Sequence, residues 1–375
     1  MNSHPGLRHL ALAAIGALSL FALLAVVPAK AAAPSAVVYF DGSSTGNGFT
    51  AVETNGLTVC PDGSVYIVND DDGVVYLAGS GASRPTSGTV AYSSTGSGQA
   101  VTKVACDSSG NLYLLDGIHE VWVHYAGSSP GALTFYVDFG SVSNLRGFVV
   151  AGNYLFASSG DTGEIVRVPA GLLNPSITPD SFATGLPAPG LEGLGTDGTS
   201  LFAADNALNS GGTASGIYRF DPAGGPYVSP SAWIDTSSDS SMLPYDVTGD
   251  GYGSVYVAMQ DGPLWVVKDG TNSLALYCDS IGVDQFAGSI GMVGSSILVA
   301  GFDASGNLPI FEVNGIPQPT TTTTTTEAPS TTSATTTTIP ASGDLPATGS
   351  PLTIMSGLGL ILVGVGSLVR RVRHT

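Results

Sequence analysis

His119 and His124 are the only imidazoles between residues 32 and 344, and they stand five apart in an alternating apolar stretch. An odd separation puts them on opposite faces of a strand, so they cannot share a metal. One of them as a lone general base competes with a surface or packing role. Gly42-Ser43-Ser44-Thr45-Gly46 spells G-x-S-x-G. A nucleophile elbow needs a helix directly behind its serine, and Thr45-Gly46-Asn47-Gly48 follows instead. Asp70-Asp71-Asp72-Gly73 and Asp250-Gly251-Tyr252-Gly253 read as tight turns built on Asp and Gly, with peripheral calcium as the sharper alternative. Nucleophile-and-base chemistry is thinly provided for.

A different chemistry is written near the C-terminus. Leu345-Pro346-Ala347-Thr348-Gly349 precedes an apolar segment, residues 351–369, and the basic tail Arg370-Arg371-Val372-Arg373-His374. About 19 apolar residues span a bilayer as a helix, and clustered arginines hold the far end inside the cell. These three elements, in this order, resemble the sorting signal of Gram-positive cell-wall proteins. The resemblance implies that the transpeptidase sortase reads Leu345, Pro346, Thr348 and Gly349. It would cut after Thr348 and pass the threonine carbonyl to a peptidoglycan amine. At the other end, residues 1–31 carry Arg8, an apolar run over 10–27 and the A-x-A site Ala29-Lys30-Ala31. That is a secretory signal peptide with Ala32 as mature start; an uncleaved anchor is the alternative.

The exported part must position its side chains with strands. From 35 to 316 the chain is rich in Gly, Ser, Asp, Val and Tyr, with short apolar runs punctuated by Gly and Asp-Gly, the pattern of many short strands. The runs repeat: SVYIVND from Ser64, NLYLLDG from Asn111, NYLFASS from Asn153, SLFAAD from Ser200, SVYVAM from Ser254 and SILVAG from Ser296. Their spacings of 47, 42, 47, 54 and 42 residues fit four-stranded propeller blades better than a sandwich. In the first repeat the four strands fall at 57–60, 64–69, 73–78 and 89–93. The last repeat lacks its fourth strand, and residues 36–40 supply a spare one that closes the ring. The fold expected is therefore all-β, a six-bladed β-propeller over residues 32–316.

The units CPDGSVYIVND and CDSSGNLYLLD resemble NHL-repeat and gluconolactonase-like six-bladed propellers. The resemblance implies a divalent cation, usually calcium, at the channel mouth, held in part by the Asp of a P-D-G that opens an inner strand. The matching starts here are Asn55 before Gly56, Thr102 before Lys103, Arg146 before Gly147, Glu192 before Gly193, Tyr245 before Asp246 and Ala287 before Gly288. These six should line one end of the channel. Glu192 is the one acid in register, Tyr245 stands where an Asp is expected, and Asp246 is one residue off. Calcium takes six to eight oxygens, so Glu192 and Asp246 are a thin set, and Arg146 one blade away is expected to pair with Glu192. Trp122, Trp233 and Trp265 serve either glycan or protein contact or packing between blades.

Charge and cysteines bound the partners. Between Asp41 and Asp344 lie all 29 acidic residues and six basic ones, a net charge of −23. Nucleic acid, which wants a basic surface, and anionic lipid are excluded as partners; the membrane is met only through the sorting helix. Cys60, Cys106 and Cys278 make no disulfide framework in a domain this size; small buried side chains are the expected reading, a Cys60–Cys106 bridge the alternative. From 317 to 344 the composition turns to Thr, Pro, Ala and Ser, with seven threonines from Thr320 to Thr326. Such a run forms no core and reads as a disordered, extended stalk, suited to O-glycosylation and able to reach roughly 80 Å. The expectation is a secreted, wall-anchored protein whose sortase and peptidoglycan partners are set by residues 345–375. Its head is expected to be a non-catalytic module that binds an extracellular protein or glycan through Asn55, Arg146, Glu192, Tyr245 and Asp246, with no cofactor required. The alternative is an extracellular lactonase or lyase with calcium on Glu192 and Asp246.

Overall fold

The computed structural model describes residues 34–316 apart from 41–53 and the loop segments 70–72, 78–83, 86–87, 118, 141, 174–176, 209–210, 213, 280, 282–284 and 303–308. The leader, Gly42–Gly46, Asp70–Asp72, the stalk, the LPATG pentapeptide and the apolar segment 351–369 lie outside the described residues. Among those described there is no helix, hence none long and apolar enough to cross a membrane.

Six antiparallel sheets follow one another round a ring. Blade one comprises Thr54–Val59, Val65–Asn69, Gly73–Leu77 and Gly88–Tyr92; blade two Val101–Cys106, Leu112–Asp116, Glu120–His124 and Thr134–Asp138. Blade three is built from Leu145–Ala151, Tyr154–Ser159, Ile165–Pro169 and Asp180–Thr184, and blade four from Leu191–Thr196, Leu201–Asp205, Gly216–Phe220 and Ile234–Asp235. Blade five is Pro244–Gly249, Val255–Met259, Leu264–Val267 and Leu274–Cys278. Blade six takes Gln285–Val293, Ser296–Phe302 and Ile310–Val313 from the end of the domain and Ala36–Phe40 from its start. Ala36 pairs with Val313 and Phe40 with Ile310, so the ring closes as the repeat count requires.

The second strands explain why the repeat is visible. In Leu112–Asp116, Leu201–Asp205 and Val255–Met259 every residue is buried. A strand packed on both faces reads as a continuous apolar run rather than an alternation. Six buried clusters form, one at each seam between neighbouring blades. The stability of the ring is thus spread over six similar interfaces, each made by the same repeat position.

Two features depart from the expected pattern. The 54-residue spacing after the fourth repeat has a structural cause: beyond Phe220 the chain crosses to the edge of blade three. There Tyr227–Val228 pairs in parallel with Ala183 and Thr184 as a fifth strand. It then returns to give blade four a two-residue outer strand. The second is a correction: Cys60 and Cys106 are joined by a disulfide, with Cα atoms 5.3 Å apart, in place of the small unbridged side chains expected. Their separation of 46 residues is about one repeat, so each stands at the end of its blade's inner strand and the two are neighbours. The shared leading cysteine of CPDG and CDSSG was the available sign. Cys278 is buried outside this bridge.

Candidate functional site: the channel mouth

Every blade interrupts its first ladder at one place. Pairing skips between Thr54 and Gly56, Val101 and Lys103, Leu145 and Phe148, Leu191 and Gly193, Pro244 and Asp246, and Phe286 and Ser289. The residues left unpaired are Asn55, Thr102, Arg146 with Gly147, Glu192, Tyr245, and Ala287 with Gly288. A bulge turns an extra residue out of the ladder and re-aims it. The bulge recurs near the start of each inner strand, at the same six positions the repeat alignment selects, and of these six residues Arg146 lines the channel.

The bulges work only because the strands behind them are slender. A Cβ on Gly193 would stand 2.2 Å from Asp246 Oδ1 and 2.7 Å from the Tyr245 carbonyl; one on Gly147 would meet Leu194 Cγ at 2.5 Å. Glycine after the bulged residue lets adjacent inner strands close around a cavity of about 220 Å³. Lys103, Arg146 and Asp246 stand among its lining residues, and the rest of the wall is uncharged residues of the six inner strands.

Charge at the mouth is arranged by blade, cations on two and three, acids on four and five. Arg146 Nη1 donates to Glu192 Oε2 at 2.7 Å; the arginine side chain is 42% exposed and the glutamate 9%. This is the pair expected from the sequence. Asp246 is buried, and both its oxygens are engaged: Oδ1 accepts from Val247 N at 2.9 Å, Oδ2 from Ile290 N at 2.8 Å. It therefore ties blade five to blade six. Burial pushes its carboxyl up to about 7, against the pull of those two amides and of Lys103. Tyr245 is half-buried and packs against the blade five–six cluster. Asn55 takes the equivalent backbone position in blade one.

Sequence reasoning missed Asp205. It ends the second strand of blade four, opposite Leu191 and next to the Glu192 bulge. It is fully buried, its Oδ1 accepts from Ala207 N at 2.9 Å, and its Oδ2 has no partner among the described residues. Burial pushes its carboxyl up to about 7, and the charge of Glu192 adds to the rise. Its equivalent in blade two, Asp116, spends its oxygens on Ser97 Oγ, His119 N and Glu120 N. Asp116 is a turn anchor; Asp205 keeps one oxygen open. The Asp at the same place in NLYLLD and SLFAAD was the signal, hidden because one copy is structural.

Glu192 and Asp246 by themselves do not fit calcium. One is held by a guanidinium and the other by two amides, and among the described residues no three His, Cys, Asp or Glu side chains gather. His119 pairs with Asp138, while His124 Nδ1 meets the Ala132 carbonyl at 2.9 Å, so the two imidazoles serve separate contacts. Asp250 accepts from Tyr252 N and Ser254 N as a turn residue.

The chain matches no family model and no curated protein. Among solved structures it is similar to a gluconolactonase from Xanthomonas campestris, at 12% identity over 75% of this chain and 89% of that one, with a TM-score of 0.52. It is also similar to the PQQ domain of a pyranose dehydrogenase from Coprinopsis cinerea, at 13% identity over 75% and 97% with a TM-score of 0.51. A protein of unknown function from Bacteroides thetaiotaomicron gives 14% identity, 75% and 76% coverage and a TM-score of 0.53. At such identities the likeness is one of fold: the chain is a six-bladed propeller resembling those of gluconolactonase and sugar dehydrogenases.

Proposed function

We propose that the channel mouth is the active site of an extracellular propeller hydrolase acting on a lactone or ester of a sugar-like substrate. This is the enzyme alternative of the sequence reading, without a metal step. The observation that carries it is the half-exposed Arg146 bound to Glu192, with the buried, open Asp205 behind that glutamate. The fold's neighbours support it in kind, since a gluconolactonase and a pyranose dehydrogenase are sugar enzymes. Arg146 would orient the substrate carbonyl and stabilise the oxyanion that forms when water adds. Glu192 would take the proton from that water and return it to the leaving alkoxide, so that one ester bond and one water become an acid and an alcohol. Burial raises the Asp205 carboxyl to about 7 and so favours its neutral form beside Glu192.

The test uses the head, residues 32–316, which holds all six closed blades. Turnover of glucono-lactone and related lactones is followed by proton release, with and without added Ca²⁺. Glu192→Gln should lower kcat by about 100-fold or more, and Arg146→Lys should lower kcat as well, because it weakens the contact to the developing oxyanion. No turnover above the spontaneous rate in either condition sinks the hydrolase. The binding-module reading then stands, favoured by the commitment of Arg146, Glu192 and Asp246 to one another and to backbone.

We also propose that the chain is exported and joined to peptidoglycan through Thr348. The order of LPATG, apolar segment and basic tail supports this. Mass spectrometry of wall-digested material should find a fragment ending at Thr348 in amide linkage to a peptidoglycan amine. A C-terminus retaining Gly349 and the residues beyond it in mature protein would refute it.

A further inference from the structure

A second cavity, about 250 Å³, opens between blades four and five. It lies between the loop that follows each inner strand and the turn from the third to the fourth strand of blade five. In a four-stranded meander both connections fall at the end opposite the inner-strand starts, so this cavity is on the other face from the mouth. Its floor is Phe202 and Val255, both buried. Its walls carry Arg219, Trp233, Lys268 and Asp269.

In a head with 27 acids and six bases, the partners of the bases single out one place. Arg84 pairs with Glu312 and Arg146 with Glu192. Arg167 Nη1 binds the carbonyls of Pro222 and Gly224, and Lys103 is at the mouth. Arg219 and Lys268 are left, and among the described residues neither forms an ion pair. Both line this one cavity.

The arginine is also held in place. Its guanidinium carbon sits 5.8 Å from the Phe202 ring centre and 5.5 Å from that of Trp233, and Nε donates to Ser200 Oγ at 3.1 Å. Trp233 is fixed in turn by Nε1 donating to Asn272 Oδ1 at 3.0 Å. A guanidinium placed over aromatics and tied through Nε leaves its terminal N–H groups for a bidentate oxyanion. Of the two acids lining the cavity, Asp197 directs Oδ1 to Thr199 N, Thr199 Oγ1 and Ser200 N. Asp269, whose carboxylate lies against Gly253, is the acceptor on the rim.

We propose that this cavity binds an acidic sugar, one monosaccharide unit carrying a carboxylate or phosphoryl group. The anionic group takes Arg219 and Lys268, and a hydroxyl of the ring donates to Asp269. The net charge of the head repels anions at long range, so recognition rests on these close contacts and not on steering. The site is independent of the channel mouth.

Calorimetric titration of the head with glucuronate, glucose 6-phosphate, glucose and inorganic phosphate tests it. At least one of the two sugar acids should bind and glucose should not; which acid binds assigns the carboxylate or the phosphoryl source. Arg219→Gln and Lys268→Gln should each weaken binding by about tenfold, with melting temperature and turnover at the mouth unchanged. Binding of neither acid, equal binding of glucose, affinity untouched by both substitutions, or inorganic phosphate binding as tightly as the sugars would each overturn the proposal.

Discussion

The carboxyls of Asp205 and Asp246 give the molecule a pH signature. Burial raises both to about 7, well above the value near 4 of an unfolded aspartate. Between about pH 4 and 7 the unfolded chain releases these protons while the folded one keeps them, so stability falls as pH rises through that window. The slope is up to about 1.4 kcal/mol per pH unit for each group. Asp235 and Asp239 are held low by their serine neighbours, and their opposite effect is confined to pH below about 4. Thermal unfolding followed from about pH 5 to pH 8 should therefore show Tm declining, most steeply below pH 7. Asp246→Asn must lower Tm, because an amide cannot accept from both Val247 N and Ile290 N, yet it should also flatten the slope. An unchanged slope in that variant would mean that Asp246 ionises normally in the fold. Asp205→Asn keeps the single Ala207 contact and is the gentler probe. In the hydrolase proposed here it should shift the pH–rate profile without abolishing turnover.

Strands and bulges carry the next scale, and there the sequence is most legible. The second strands announce themselves as six apolar runs because they are buried on both faces. The closing strand Ala36–Phe40 follows from counting. The bulges are legible only as positions: alignment finds Asn55, Thr102, Arg146, Glu192, Tyr245 and Ala287, but only pairing shows that the ladder shifts register at each. What stays hidden is whatever depends on which repeat copy is spent on structure. Asp116 and Asp205 look alike in sequence and differ in whether a turn consumes the carboxylate. The disulfide is hidden for a related reason, since two cysteines one repeat apart are neighbours only if inner strands are neighbours. That bridge closes a 46-residue separation, and its removal in Cys60→Ser/Cys106→Ser should cost about 3–4 kcal/mol, a Tm loss on the order of 10 °C. Equal melting of the oxidised and reduced head would show that blades one and two need no tie. Gly193→Ala tests the close approach of blades four and five. Its Cβ would meet Asp246 Oδ1 and the Tyr245 carbonyl, so destabilisation of about 1–3 kcal/mol is expected, together with loss of whatever activity depends on Glu192 beside it.

A ring of six similar seams is only as strong as its closure. Four seams join blades made from continuous chain, whereas the two on either side of blade six depend on Ala36–Phe40 lying against Ile310–Val313. Tyr39 and Phe40 from that strand are also part of the cluster between blades six and one, with Leu57, Val65, Ile67, Leu77, Leu298 and Ile310. Deleting residues 32–40 thus removes two large aromatics, each contributing about 1.5–3 kcal/mol by burial, together with the closing strand's hydrogen bonds, and it bares the edge of Ile310–Val313. The sum approaches the roughly 5–15 kcal/mol that holds a whole domain together, and an uncovered edge strand recruits other chains. The truncated head should therefore be recovered as aggregate or as a species without a cooperative melt. A synthetic peptide of residues 34–40 added during refolding should restore part of the monomer, because the missing strand pairs only through the edge it leaves open. Survival of the truncated head as a monomer within a few degrees of the full head's Tm would mean that the closing strand is dispensable. Closure by the N-terminal strand would then be a convenience of the chain's path and not the condition of its stability.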